Sequence, residues 1–377
     1  MKKLILIILV LFAFKAYPQK YFYTPYQWME SDTRVGFFSM INFYGNQMPA
    51  EKKIIVKNNI REWKIQSYRI NKKGDSVRPW LNVNTFDTHG NKISQKSFDS
   101  KNRMWQHNIF QYNDSSKIVS DISINRKGKT VRKDSAVYNA NGQQTSEMNY
   151  RRGGEKVSNK TNTAYNKRGQ ITEISSFKYD KKLKEKSWGR YVTIYNADGT
   201  KGETKWYDGK GRLTQTWSFA CDPTGVAKKS KGADSTNVCI KYEYGSDGSK
   251  IKTMIYTDKK RHITKCILKY DPKGNLTDYT YYNRKNRITA RYSYVFNTDK
   301  NATSYIQYKR GGEKIFCKDD MEYNSNKLCS KRTRYCYDKL TRTNVYLYNE
   351  NGLHTTTTIY NHDGKKTRIT QNSYTFY

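Results

Sequence analysis

Past its first residues the chain lacks an apolar run of the roughly 20 residues that a helix needs to cross a bilayer, which excludes a helical membrane protein. Helical periodicity is also missing. Acidic residues are few: 33 Asp and Glu stand against 70 Lys and Arg, for a net charge of +37. Neither a Cys-x-x-Cys pair, a Gly-x-Ser-x-Gly elbow, a phosphate loop nor a Cys/His dyad occurs, so zinc-ribbon, thioredoxin-like and hydrolase readings have no support. The five histidines, His89, His107, His262, His354 and His362, are scattered. No catalytic residue, metal ligand or cofactor is therefore expected, and the chain reads as a non-enzyme. Disorder is excluded by what is abundant, because 14% of the residues are aromatic and 33 are tyrosine.

Met1-Lys2-Lys3 and the apolar stretch Leu4 to Phe14, turning polar at Lys15-Ala16-Tyr17-Pro18-Gln19, have the layout of a secretory signal. We expect residues 1–19 to be a signal peptide and the mature chain to be exported, whether to periplasm, cell surface or medium. Residues 20–60 are rich in aromatics without a turn motif. They are expected to cap the first sheet edge, as repeat arrays require.

One unit recurs along the remainder: an aromatic anchor, Asn or Asp, two variable residues, and often Gly. Clear copies begin at Phe86, Tyr138, Tyr165, Tyr195, Tyr207, Tyr270, Tyr348 and Tyr360. The Asn or Asp side chain bonds back to the local backbone, and Gly supplies the positive φ of a tight hairpin loop. Roughly eight residues of period-2 alternation separate the turns, as in Ile288, Ala290, Tyr292, Tyr294 and Phe296. Such alternation describes a strand with one buried and one wet face. The expected fold is all-β, an antiparallel hairpin array of about 20 strands at one strand per 12–14 residues.

A longer repeat lies above the short one. Anchors 86 through 179 recur, shifted by 158, at 244 through 337, and Arg151-Arg152-Gly153-Gly154-Glu155-Lys156 matches Lys309-Arg310-Gly311-Gly312-Glu313-Lys314. The reading is a duplicated block: 61–219, then a Cys-bordered insertion 220–243, then 244–377.

The unit Tyr207-Asp208-Gly209-Lys210-Gly211-Arg212 resembles the YD repeat of RHS-type proteins over roughly residues 60–377. That resemblance implies hairpins wrapped into a curved β shell, an exported or surface location, and carbohydrate binding.

All six cysteines lie in the second half, and an even count in an exported chain permits disulfides. Cys221 with Cys239 borders the insertion, and Cys317 with Cys336 spans the hairpin turned at Tyr323. The basic excess is the main functional clue. Candidate polyanion contacts are Arg126, Lys127, Lys181, Lys182, Lys259, Lys260, Arg261, Arg284 and Lys285, in turns beside rows of tyrosine. Many weak charge contacts acting together hold a polymer of opposite sign. The expected partner is an acidic polysaccharide or other polyanion of the cell envelope, held by Lys and Arg with stacked Tyr. Nucleic acid is not the expected partner. A structural, protein-binding envelope component is the second reading and an outer-membrane barrel the third.

Overall fold

The computed structural model describes residues 49–151, 153–180, 183–219, 235–257 and 263–377. The chain divides into two units, 1–46 and 47–377, and the first lies wholly outside the described residues. So do the expected signal peptide, most of the 20–60 cap, Cys221, Lys181, Lys182, Lys259, Lys260 and Arg261.

The second unit begins with a helix, α1 (Pro49–Lys57), which sequence periodicity does not reveal because its nine residues offer no repeating apolar stripe. Strands β1 (Ile60–Ile70), β2 (Ser76–Phe86), β3 (Lys92–Phe98), β4 (Met104–Tyr112), β5 (Ile118–Asn125) and β6 (Thr130–Tyr138) follow. Then come β7 (Gln144–Tyr150), β8 (Val157–Tyr165), β9 (Ile171–Tyr179), β10 (Glu185–Tyr195), β11 (Lys201–Asp208) and β12 (Leu213–Ser218). The later half holds β13 (Ser235–Tyr244), β14 (Lys250–Thr257), β15 (Ile263–Tyr270), β16 (Leu276–Tyr282), β17 (Ile288–Phe296) and β18 (Ala302–Tyr308). The last five are β19 (Ile315–Tyr323), β20 (Cys329–Cys336), β21 (Lys339–Tyr348), β22 (His354–Asn361) and β23 (Lys366–Phe376). The fold is the expected antiparallel hairpin array, with 23 strands among the described residues. The expected insertion 220–243 is too long at its far end, because β13 already pairs with β14 from Asn237 onward.

The turns show why the repeat has its composition. In the β5–β6 turn, Asn125 Oδ1 accepts from the amides of Lys127 at 2.9 Å and Lys129 at 3.1 Å. The amide of Gly128, at φ 72°, donates to the Asn125 carbonyl at 2.9 Å. Where Gly is missing, another residue takes the left-handed position: Asn102 and Asn286 at φ 55° and 52°, and Ser116, Leu183, Lys300 and Lys327 elsewhere. Register slips at most of the anchors, where a bulge sets two residues against one.

Every strand pairs with its neighbours in sequence, and β1 also pairs with β23 over Ile60↔Phe376 to Arg69↔Arg368, so the sheet closes on itself. A ring in which all neighbours are antiparallel needs an even number of strands. Twenty-three can close because β12 and β13 are parallel, through Thr216↔Ser235 to Ser218↔Asn237. Strand bounds of β5–β8 recur as those of β16–β19, residue for residue at a shift of 158 apart from the end of β5.

Alternation predicted one buried and one wet face, but in β7, β11 and β22 every residue is half-buried. Among the described residues α1 is the one helix, packed against the end of the ring around β1, β2 and the connection after β2, and no second layer of described residues covers either face. Its Ile55 joins Ile60, Trp63, Phe86 and Leu353 in a small apolar core, with Ile65 and Tyr374 against it. Trp63 Nε1 donates to Asn372 Oδ1 at 3.0 Å across the closing seam. Burying these side chains stabilises the seam by about 1.5–3 kcal/mol each.

Candidate functional site

Alternating strands deliver their connections to two rims. The connections after β2, β4, β6, β8 and β10 lie at one rim, with α1, whose Lys52 bonds Asn91 in the connection after β2. Those after β1, β3, β5, β7, β9 and β11 lie at the other. The parallel step at β12–β13 resets the order, so the connections after β16, β18, β20 and β22 return to the second rim. Counting described residues between strand ends, the second rim holds nineteen Lys and Arg against seven Asp and Glu. The first holds six against seven. Arg126 and Lys127 after β5, and Arg284 and Lys285 after β16, therefore stand at the same rim. The remaining candidate cations lie outside the described residues.

The ring's two faces can be told apart by burial. Cross-strand pairing places Ser67, Asn84, Asp319, Arg332 and Asn344 on one face, all of them buried. Trp105, Val137, Ile194, Val295 and Leu347 are exposed on the other. The first is the inner face.

Anchors at the neutral rim point inward, and most bond through their hydroxyls. Tyr112, Tyr138, Tyr165, Tyr195, Tyr323, Tyr348 and Tyr374 each donate to a backbone carbonyl of the adjoining strand at 2.6–2.9 Å. Burial raises the hydroxyl pKa of Tyr138 and pushes that of Tyr323 to about 12. Phe86 has no hydroxyl and is packed in the apolar core. Tyr270, also at this rim, is buried beneath Lys250 at 5.6 Å.

Anchors at the basic rim point outward and lie beneath cations. Lys133 stands over Tyr150 at 4.8 Å, Arg190 over Tyr207 at 4.7 Å, Lys265 over Tyr282 at 4.3 Å and Arg291 over Tyr308 at 4.6 Å. Tyr360 is half-buried at the end of β22 on the same side. The opposite facing follows from parity, since Lys133, beside Tyr150, stands an odd five residues before Tyr138. In each of these four rings a cation covers one face and leaves the other for a further contact.

The inner face differs between the two blocks. Asp121, Asp134 and Glu147 with Arg132 occupy β5–β7. Burial raises the carboxyl pKa of Asp121 and Glu147. The positions 158 later are Tyr279, Tyr292 and Tyr305, a row of rings on β16–β18 in which the first pair is tilted and the second stacked, with centroids 5.8 and 6.0 Å apart. Beyond it, Asp319 on β19 accepts from Arg332 Nη2 at 2.6 Å and from Arg334 Nε at 2.8 Å and Nη2 at 2.7 Å. Burial alone would raise the Asp319 carboxyl, but the bonds from Arg334 and Arg332 outweigh it and hold its pKa below the ordinary value. Sequence reasoning missed this cluster, because only strand register brings residues 319, 332, 334 and 342 together.

Cys317 and Cys336 are bonded across β19 and β20, as their spacing predicts. Cys239 is buried and disulfide-bonded, while its expected partner Cys221 lies outside the described residues. Cys266 and Cys329 are thiols. Among the described residues no group of three His, Cys, Asp or Glu is placed to hold a metal, and no helix is long and apolar enough to cross a membrane.

No family model and no curated protein matches the chain. Among solved structures, TcdB2-TccC3 is similar at 12% identity and a TM-score of 0.32, over 78% of this chain and 19% of that one. The chain thus spans about a fifth of that protein's length. A porin-like protein from Bacteroides uniformis ATCC 8492 is similar at 9% identity and a TM-score of 0.23, over 84% of this chain and 98% of that one. A porin-like protein from Bacteroides vulgatus ATCC 8482 gives 8% and 0.22, over 84% and 99%. Likenesses this distant carry no functional argument.

Proposed function

We propose that this is an exported, non-catalytic binding protein whose basic rim engages an acidic polysaccharide of the cell envelope. The observation that carries the reading is the sorting of charge: one rim is strongly basic and the other is balanced, although the two are built from the same turn. A charge excess that served solubility alone has no reason to favour one rim. Flexible Lys and Arg in consecutive turns suit a repetitive polymer, where each contact is weak and linked contacts add through effective concentration. The signal-like start supports export.

The test compares two six-residue Gln variants of equal net charge. One replaces Arg126, Lys127, Lys129, Arg284, Lys285 and Arg287 at the basic rim. The other replaces Lys117, Lys167, Arg168, Lys273, Lys300 and Lys327 at the neutral rim. Binding to immobilised polygalacturonate across a salt series should weaken about 100-fold, with a flatter salt slope, for the first. The second should stay within about twofold, an order-of-magnitude expectation for lost long-range charge alone. Equal losses, or no binding by the unaltered chain, would reject the reading, and a co-purifying protein in place of glycan would favour a structural role.

A further inference from the structure

We propose that the inner wall just inside the basic rim, from β19 round to β1, is an oxyanion site for the carboxylate or sulfate groups of an acidic glycan. This rests on the reading that the basic rim engages such a polymer, and adds a discrete site to it.

Two arginine pairs mark the place. Arg334 on β20 stands directly opposite Arg342 on β21, and Arg368 on β23 directly opposite Arg69 on β1. All four face inward, within three residues of a strand end at the basic rim. At about 3.4 Å per residue that is roughly 10 Å or less from the mouth. Asp319 compensates Arg334, and with Arg332, Arg342, Arg368 and Arg69 this stretch of wall gathers five guanidinium groups on one face, a concentration of positive charge that suits an anion. Guanidinium groups match carboxylate and sulfate oxygens through two parallel N–H donors.

The surroundings fix the geometry. Asp319, fully buried, holds Arg332 and Arg334 by three bonds of 2.6–2.8 Å. Two residues farther along both strands, the Cys317–Cys336 disulfide staples β19 to β20. Asn344, 5% exposed and opposite Arg332, gives its amide N–H to Tyr346 Oη at 3.1 Å. Its Oδ1 bonds no described group and is an acceptor suited to a sugar hydroxyl. Burial, then the fields of Arg334 and Arg332, lower the Arg342 pKa, as expected where guanidinium groups crowd together. The first block has no such wall: 158 residues earlier, Asp319, Arg332 and Arg334 become Thr161, Ile174 and Ser176.

The experiment uses the full chain and two probes: trigalacturonate, too short to span successive rim turns, and long polygalacturonate. Calorimetry at physiological salt should show trigalacturonate binding that falls at least tenfold in an Arg342→Gln, Arg368→Gln variant. The six-residue basic-rim variant should keep it within about twofold. Because Arg342 and Arg368 are half-buried, Arg69→Gln at an exposed position serves as a second variant, expected to lose severalfold with the melting temperature unchanged. Binding of the trimer that is indifferent to all three arginines overturns the proposal, as does no trimer binding by a folded chain that still binds polymer. Trimer binding that depends on the arginines, with polymer binding indifferent to the rim, would instead reject the rim reading alone.

Discussion

The two rims are built from one turn and fixed by different forces. At the neutral rim the anchors turn inward and seven tyrosine hydroxyls each satisfy a backbone carbonyl, while α1, Phe86 and Leu353 close the seam by apolar burial. At the basic rim the anchors turn outward under Lys and Arg, and the wall behind them is held by the Asp319 ion-pair cluster and a disulfide. The same motif thus supports a structural end and a charged end. Facing decides which, because an inward tyrosine has carbonyls within reach and an outward one has the stems of long cations.

The largest expected effects compare the two ends at equal cost. Asp319→Asn leaves nearly buried Arg332 without its carboxylate and should destabilise the fold by about 3–5 kcal/mol. Phe86→Ala at the neutral rim should cost a similar amount, about 3–5 kcal/mol, by opening a cavity. Their pH signatures should differ. The folded pKa of Asp319 is depressed, so its stabilisation is complete above the ordinary carboxylate value and is lost as pH falls through the folded value. The Asp319→Asn deficit should therefore shrink in strong acid while the Phe86→Ala deficit persists, as denaturant titrations at pH 7 and at successive steps below the ordinary carboxylate value would show. Matching pH profiles would break the distinction between a charged and an apolar end.

A smaller effect sharpens it. Tyr138→Phe at the neutral rim removes the donor to the Ile118 carbonyl and should cost about 1 kcal/mol. Tyr282→Phe at the basic rim keeps the ring face under Lys265 and should change stability by less than about 0.5 kcal/mol. Thermal melts of the two variants decide it. If Tyr282→Phe costs as much as Tyr138→Phe, both anchors act through their hydroxyls.

Much of this was legible in the residues. Anchor, Asn or Asp, and Gly mark each turn because loop geometry is local, and Asn125 and Gly128 bond as their types require. Cys317 and Cys336 could be paired because a hairpin sets its own register. The short helix α1, the start of β13 inside the expected insertion, and the uniform half-burial of β7, β11 and β22 were not legible. Each depends on what a segment packs against. The arginine wall escaped notice for the same reason, since Arg69 and Arg368 are separated by nearly the whole chain and meet only where the ring closes.

By itself the sequence determined strands, turns, their period and the duplication, all consequences of hydrogen bonding and side-chain sterics within a few residues. The tertiary structure decided which turns share a rim. A block copied 158 residues later is displaced by eleven strands, an odd number, and in a wholly antiparallel ring each copied turn would land on the opposite rim. The parallel neighbours β12 and β13 cancel that reversal, returning Arg284-Lys285 to the side of Arg126-Lys127. Strand direction is a property of the closed ring, so the gathering of charge at one mouth could arise only there.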